Sequence, residues 1–232
     1  MRAERLKYIL LTALLTITAT AHPQDLEYKM EAGGAVGGSY YLGDANFTGL
    51  FKEMSGMGGI VARYNLNPRM AIKGNLVAAG IAGTTKGSEY HIPGNSDIDF
   101  SRTLYDLGAQ FEYNFFPYGS GGGYKRLYRL TPYITMGMGF TYAGKPVDNV
   151  FTVNFPIGAG IKYKIADRLN LGCELTFRFS MSDQLDVTAK GTTTLDDPLG
   201  IKSSGMKNKD SYSFLCLFLT YDIMPKYRKC NN

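Results

Sequence analysis

Tyr105-Asp106-Leu107-Gly108-Ala109-Gln110-Phe111-Glu112-Tyr113-Asn114-Phe115 sorts by polarity at every second residue. Successive side chains of an extended strand point to opposite faces. Tyr105, Leu107, Ala109, Phe111, Tyr113 and Phe115 therefore share one face, and Asp106, Gly108, Gln110, Glu112 and Asn114 the other. Segments of about ten residues with one lipid-like and one polar face, separated by turns, mark a transmembrane β-barrel. A soluble barrel of the lipocalin kind alternates too, with its apolar side inward. The sidedness has to come from the rest of the chain.

Three features favour apolar-out. Arg2, Arg5 and Lys7 precede a short apolar run over residues 8–18, and Ala19-Thr20-Ala21 reads as a small-residue cleavage site. Residues 1–21 are thus expected to be a signal peptide and 22–232 the exported barrel domain. No later apolar run is long enough for a spanning helix. The composition is rich in Gly (28), Tyr (17) and Phe (13), yet mean hydropathy is only −0.14, too low for a helical membrane protein. Formal net charge is +5, of which the leader (three basic residues against Glu4) carries two. That mild excess points to neither nucleic acid nor a strongly acidic partner. Finally, Tyr28, Tyr40, Tyr64, Tyr113, Tyr142, Tyr163 and Tyr221 lie near expected strand ends. There a tyrosine ring stays apolar while its hydroxyl stays wet in the headgroup zone.

The same reading gives eight strands, at about 27–41, 56–65, 70–80, 102–116, 133–142, 151–163, 169–179 and 211–224. The fold class expected is all-β, an eight-stranded antiparallel up-and-down transmembrane barrel. Residues 65–69 and 164–168 read as short turns, and 41–55, 81–101 and 180–210 as long connectors. Short periplasmic turns and long outer loops are the rhythm of outer-membrane barrels. The connector 117–132 breaks it, being long where a short periplasmic turn is due. The last strand is apolar on both faces, so its phase is open.

Eight strands leave an interior that side chains can just fill. The inward charges on the first seven strands balance: Lys29, Arg63, Lys73, Lys162 and Arg178 against Glu27, Glu31, Asp106, Glu112 and Glu174. Charges removed from water persist only when paired and hydrogen-bonded. The expectation is a lumen plugged by an ion-pair network of Glu31, Arg63, Lys73, Asp106, Glu112, Lys162, Glu174 and Arg178. No catalytic site, cofactor or metal is expected. His22 and His91 are the two histidines, and Ser88, Glu89 and Ser96 near His91 have no spacing that enforces a triad. Cys173, Cys216 and Cys230 are too dispersed for a metal site. Cys173 and Cys216 are placed on opposite strand faces as free thiols.

Several motifs, in order along nearly the whole mature chain, carry a resemblance. They are Tyr41-Leu42-Gly43-Asp44-Ala45-Asn46, Phe100-Ser101-Arg102-Thr103-Leu104-Tyr105-Asp106, Gln110-Phe111-Glu112-Tyr113-Asn114-Phe115-Phe116 and Arg129-Leu130-Thr131-Pro132-Tyr133. The last is Gly200-Ile201-Lys202-Ser203-Ser204-Gly205-Met206-Lys207-Asn208-Lys209-Asp210. The chain resembles the PorG-type outer-membrane barrels of Bacteroidetes type IX secretion. The resemblance implies a non-enzymatic component of a protein-export machine, set in outer-membrane lipid. It also implies attachment to a periplasmic ring made by a lipoprotein and its partner. On that basis Tyr124, Lys125, Arg126, Tyr128 and Arg129 in the oversized connector are the candidate partner contacts. A general structural or adhesion barrel acting through its outer loops is the other reading.

Overall fold

A computed structural model describes residues 28–42, 54–84, 99–120, 127–144, 149–181 and 211–225. Eight strands follow in order: β1 (Tyr28–Leu42), β2 (Ser55–Asn67), β3 (Met70–Thr84), β4 (Asp99–Asn114), β5 (Leu130–Ala143), β6 (Val150–Ala166), β7 (Leu169–Ser180) and β8 (Ser211–Pro225). Each pairs antiparallel with the next, and β8 returns to pair with β1, closing a barrel without a free edge. Closure satisfies every ladder, the condition for sheet structure in a medium that offers no water to backbone groups.

Sidedness follows the alternation. On β4, Leu107 is 56 % exposed while Asp106 and Glu112 are 0 % exposed. The same holds around the ring: Ile60, Leu76, Met136, Met138, Ile157, Leu217 and Leu219 are exposed, whereas Arg63, Lys73, Thr135, Asn154, Lys162 and Arg178 are buried. A water-soluble barrel could not expose such a continuous apolar band. With its charges enclosed, the molecule is a transmembrane β-barrel. Aromatic residues mark both ends of the band. Tyr64, Tyr163 and Tyr221 sit at the short-turn end, and the stacked pairs Tyr105–Tyr142 and Phe140–Phe151 at the other.

Several details differ from the sequence reading. β6 runs to Ala166, so Lys164 is an inward strand residue rather than part of a turn, and the turn is Asp167-Arg168. β2 likewise extends to Asn67 through an irregularity at Asn65/Asn67 before Pro68-Arg69 turns the chain. The Asn67 side chain accepts the Arg69 backbone N–H at 2.8 Å, a local bond that shapes this turn. Lys29 is exposed at the barrel end rather than enclosed. Tyr40 is buried rather than at a wet strand end, because Met54 lies against it, with the Tyr40 hydroxyl 2.9 Å from the sulfur. β8 turns Tyr212, Phe214, Cys216, Phe218, Thr220 and Asp222 inward. Cys173 is exposed and Cys216 buried, both as free thiols.

Candidate functional site: a charged lumen and its closed mouth

Near its short-turn end, β4 turns Glu112 into the lumen, where it meets cations from three other strands. Its carboxylate accepts from Arg63 Nε at 2.9 Å and from Lys162 Nζ at 2.9 Å, with Lys73 Nζ at 3.6 Å. Lys73 also reaches Glu174 at 2.6 Å, whose other donor is the Tyr133 hydroxyl at 2.5 Å. Arg63 extends to Glu31 at 3.5 Å and lies over the Phe218 ring at 4.2 Å. Glu31 also accepts from Asn65 and Thr220. Six of the eight residues named for the network thus form one connected chain of charges. Glu112 and Glu174 take cations from non-adjacent strands, and Glu31 takes Arg63 from the neighbouring strand. Fully desolvated charges persist in this arrangement because each has a close partner of opposite sign or a hydrogen-bond donor.

Asp106 and Arg178 form a second cluster nearer the long-connector end. Arg178 Nε lies 3.2 Å from Asp106, and its guanidinium covers the Phe214 ring at 4.2 Å. Asp106 also accepts from Tyr212 and Asn154 at 2.8 Å and from Asn75 at 3.2 Å. Beyond this cluster the interior turns apolar, with Ile81, Leu104, Ala143 and Val150 buried. Among the described residues, the buried cations Arg63, Lys73, Arg102, Lys162, Lys164 and Arg178 exceed the buried acids Glu31, Asp106, Glu112, Glu174 and Asp222 by one.

The short-turn mouth is closed by a third cluster that the sequence reading did not contain. Lys164 pairs with Asp222, and Asn170 donates to Asp222 at 2.6 Å. The Tyr118 hydroxyl donates to the Asn170 carbonyl at 2.8 Å. Tyr118 belongs to the β4–β5 connector, so the connector folds back over the opening. Its backbone N–H donates to the Pro68 carbonyl at 2.9 Å, and Tyr118 bridges to Tyr128, with the Tyr128 N–H donating to the Pro117 carbonyl at 2.8 Å. Burial, and then the carboxylates of Glu31 and Asp222, push the Tyr118 phenol above its ordinary range, so it stays a neutral donor. Beneath it lies a cavity of about 30 Å³ lined by Glu31, Asn65, Asn114, Lys164 and Asp222. A second of about 20 Å³ lies among Arg63, Glu174, Phe214 and Phe218. Each has room for a water or two, not for a solute.

Of the candidate partner contacts, Tyr128 and Arg129 are exposed at this mouth, and the Tyr128 ring packs on Phe116 at 5.4 Å. Tyr124, Lys125 and Arg126 lie outside the described residues, as do His22 and His91 and the 200–210 motif. One signal could have revealed the mouth cluster. Asp222 is the single charged residue of β8, and an acid on a membrane strand belongs inside, which sets the phase of that strand.

A comparison with curated proteins gives no match. Among solved structures the chain is similar to Neisserial surface protein A, at 11 % identity and TM-score 0.47, covering 85 % of this chain and 98 % of that one. It is also similar to the N-terminal β-barrel domain of Pseudomonas aeruginosa OprF, at 14 % identity and TM-score 0.44, covering 83 % and 98 %. A third is Ail, the attachment invasion locus protein of Yersinia pestis, at 11 % identity and TM-score 0.44, covering 84 % and 99 %. The family model described as Domain of unknown function (DUF6089) matches residues 7–232, a span that takes in all eight strands, and the chain belongs to that family.

Proposed function

We propose that this protein is a non-enzymatic outer-membrane component of a type IX protein secretion machine. In this role the barrel is a membrane anchor, and the β4–β5 connector is presented to a periplasmic ring made of a lipoprotein and its partner. The observation that carries the reading is the asymmetry of the short-turn end. There β2–β3 and β6–β7 turn through Pro68-Arg69 and Asp167-Arg168, whereas the β4–β5 connector occupies residues 115–129. Its shoulders are joined by the Tyr118–Tyr128 bridge, and Tyr118 reaches across the mouth to Pro68 and Asn170, a base for the basic and aromatic stretch Tyr124-Lys125-Arg126-Leu127-Tyr128-Arg129. Arg and Tyr are residues from which interface hot spots are built. The resemblance of the five sequence motifs to PorG-type barrels supplies the identity of the partner, and the leader-like residues 1–21 fit an exported protein.

Deletion of residues 119–128, measured by recovery of the ring with the barrel from crosslinked membranes, tests this. Loss of association is expected, and unchanged association would overturn it. Charge reversal at Lys125, Arg126 and Arg129, which leaves the Tyr118–Tyr128 fastening intact, gives the same test without shortening the chain. The second reading is a structural or adhesion barrel, favoured by the length of the connectors after β1, β3 and β7 at the opposite end. Deleting those connectors and finding secretion intact but cell-surface behaviour altered would decide for it.

A further inference from the structure

The described basic residues divide cleanly. Arg63, Lys73, Arg102, Lys162, Lys164 and Arg178 are buried, and the remaining four, Lys29, Arg69, Arg129 and Arg168, are all at the short-turn end. They are spread around the circumference. Lys29 stands at the start of β1, Arg69 in the β2–β3 turn, Arg129 beside β5 and Arg168 in the β6–β7 turn. Above them, toward the apolar band, come the outward tyrosines Tyr64, Tyr113, Tyr163 and Tyr221. Two of the turns even share a spacing, Tyr64 to Arg69 and Tyr163 to Arg168.

The two turn arginines are held against the outer surface rather than left to swing. Arg168 Nε donates to the Tyr28 hydroxyl at 3.0 Å and Nη1 to the Tyr221 hydroxyl at 3.5 Å, with its guanidinium 5.3 Å from the Tyr28 ring. Arg69 Nη1 donates to the Phe115 carbonyl at 2.8 Å, beside the exposed Phe115 ring. In both cases guanidinium donors remain that those contacts do not use. One acid, Asp167, shares the rim among the described residues. The rim therefore carries an excess of cations at the depth where tyrosine marks the headgroup zone.

From this geometry we infer that the short-turn rim is a binding collar for anionic glycerophospholipid headgroups, with Arg69 and Arg168 as its fixed phosphate clamps. A guanidinium fork matches a phosphodiester; the Tyr28 and Tyr221 hydroxyls hold the Arg168 fork in place, and the Phe115 carbonyl holds that of Arg69. Net negative headgroups are selected over zwitterionic ones because, among the described residues, the cation excess is not offset on the rim. Each cation near a membrane surface is worth on the order of a fivefold preference for an anionic leaflet. The collar would fix the depth and tilt of the barrel, and its two clamps, Arg69 and Arg168, lie outside the β4–β5 connector. The inference rests on the membrane-anchor reading but not on the partner, so its test leaves that connector untouched.

The full chain, processed in cells, is reconstituted into phosphatidylethanolamine vesicles containing a minority of phosphatidylglycerol. Lipids that stay bound after extraction are weighed by native mass spectrometry. The wild type is expected to retain phosphatidylglycerol well above its share of the vesicle. The Arg69→Gln/Arg168→Gln double variant is expected to lose that enrichment, by roughly fivefold or more, while Arg69→Lys/Arg168→Lys keeps part of it. Heat-modifiable gel mobility reports whether each variant is a closed barrel. The wild type alone supplies a second test, since its enrichment should fall as salt is raised. Enrichment that is absent, indifferent to salt or unchanged in the Gln variant would overturn the collar. Failure of the wild type to enter vesicles at all would instead overturn the membrane reading.

Discussion

Glu112 sits where the electrostatics of the lumen converge, since Arg63, Lys162 and Lys73 all lie within 3.6 Å of its carboxylate. Removing it leaves Lys162 without an acid and takes from Arg63 and Lys73 one of the two acids each has, in a volume with no bulk water. Glu112→Ala should therefore cost about 3–5 kcal/mol, the usual penalty for orphaning a buried charge. Adding Lys162→Met should recover part of that loss, because the cation left without an acid goes with it. The chain has no Trp, so urea unfolding in lipid vesicles followed by far-ultraviolet circular dichroism is the measurement. A Glu112→Ala barrel within about 0.5 kcal/mol of wild type would contradict the account. Glu112, Arg63 and Lys162 were legible in the sequence because each interrupts an apolar alternation. Lys164 was not, because the short run Lys164-Ile165-Ala166-Asp167-Arg168 looks like a polar turn until the pairing of Lys164 with Asn170 extends the strand through it. Tyr118 was hidden for a different reason: it sits in a connector, and nothing in local periodicity shows a connector folding back.

At the scale of a strand, the two faces obey opposite rules. Met136 is 61 % exposed near the middle of β5, and Met136→Lys should destabilise by about 2–4 kcal/mol. Tyr163, near the short-turn end of β6, should tolerate Lys at a cost of about 0–1 kcal/mol, since a long side chain there can reach water. Equal costs at the two positions would mean that the exterior is not graded by depth. Glycines separate in the same way. A methyl at Gly137 would stand 2.1 Å from the Ala109 carbonyl oxygen, and backbone cannot yield as a side-chain tip can. Nothing lies within 4 Å of the same methyl at Gly74. Gly137→Ala should lose about 1–3 kcal/mol or fail to close, while Gly74→Ala should stay within about 0.5 kcal/mol. Heat-modifiable mobility and urea midpoints compare them directly. Strand existence and phase were readable for β2 to β7 because each carries polar residues at alternating positions. β8 was ambiguous because Tyr212, Phe214 and Phe218 fill the lumen with rings, under Arg63 and Arg178, where other strands place charge.

For the whole molecule, a closed sheet, a paired interior and a fastened mouth, all within the described residues, lead to the expectation of a plugged barrel rather than an open pore. The charged layers and the apolar layer of Ile81, Leu104, Ala143 and Val150 fill the lumen among the described residues, and the two cavities beside them are water-sized. Planar-bilayer recordings of the purified barrel should accordingly show no large steady conductance. A persistent wide channel would refute the plug while leaving the sidedness intact. Closure itself was inferable from an even strand count and alternating connector lengths. The oversized β4–β5 connector was visible as an exception to that rhythm, although its attachment across the mouth was not. All of these expectations require that the apolar face of every strand meet acyl chains. The most direct test is a nitroxide scan along residues 105–115 of the barrel in vesicles, after replacing Cys173, Cys216 and Cys230. Odd-numbered positions should be relaxed by lipid-dissolved oxygen and not by a water-soluble metal complex, and even-numbered positions by neither. Strong relaxation of the odd positions by the water-soluble reagent would contradict the account.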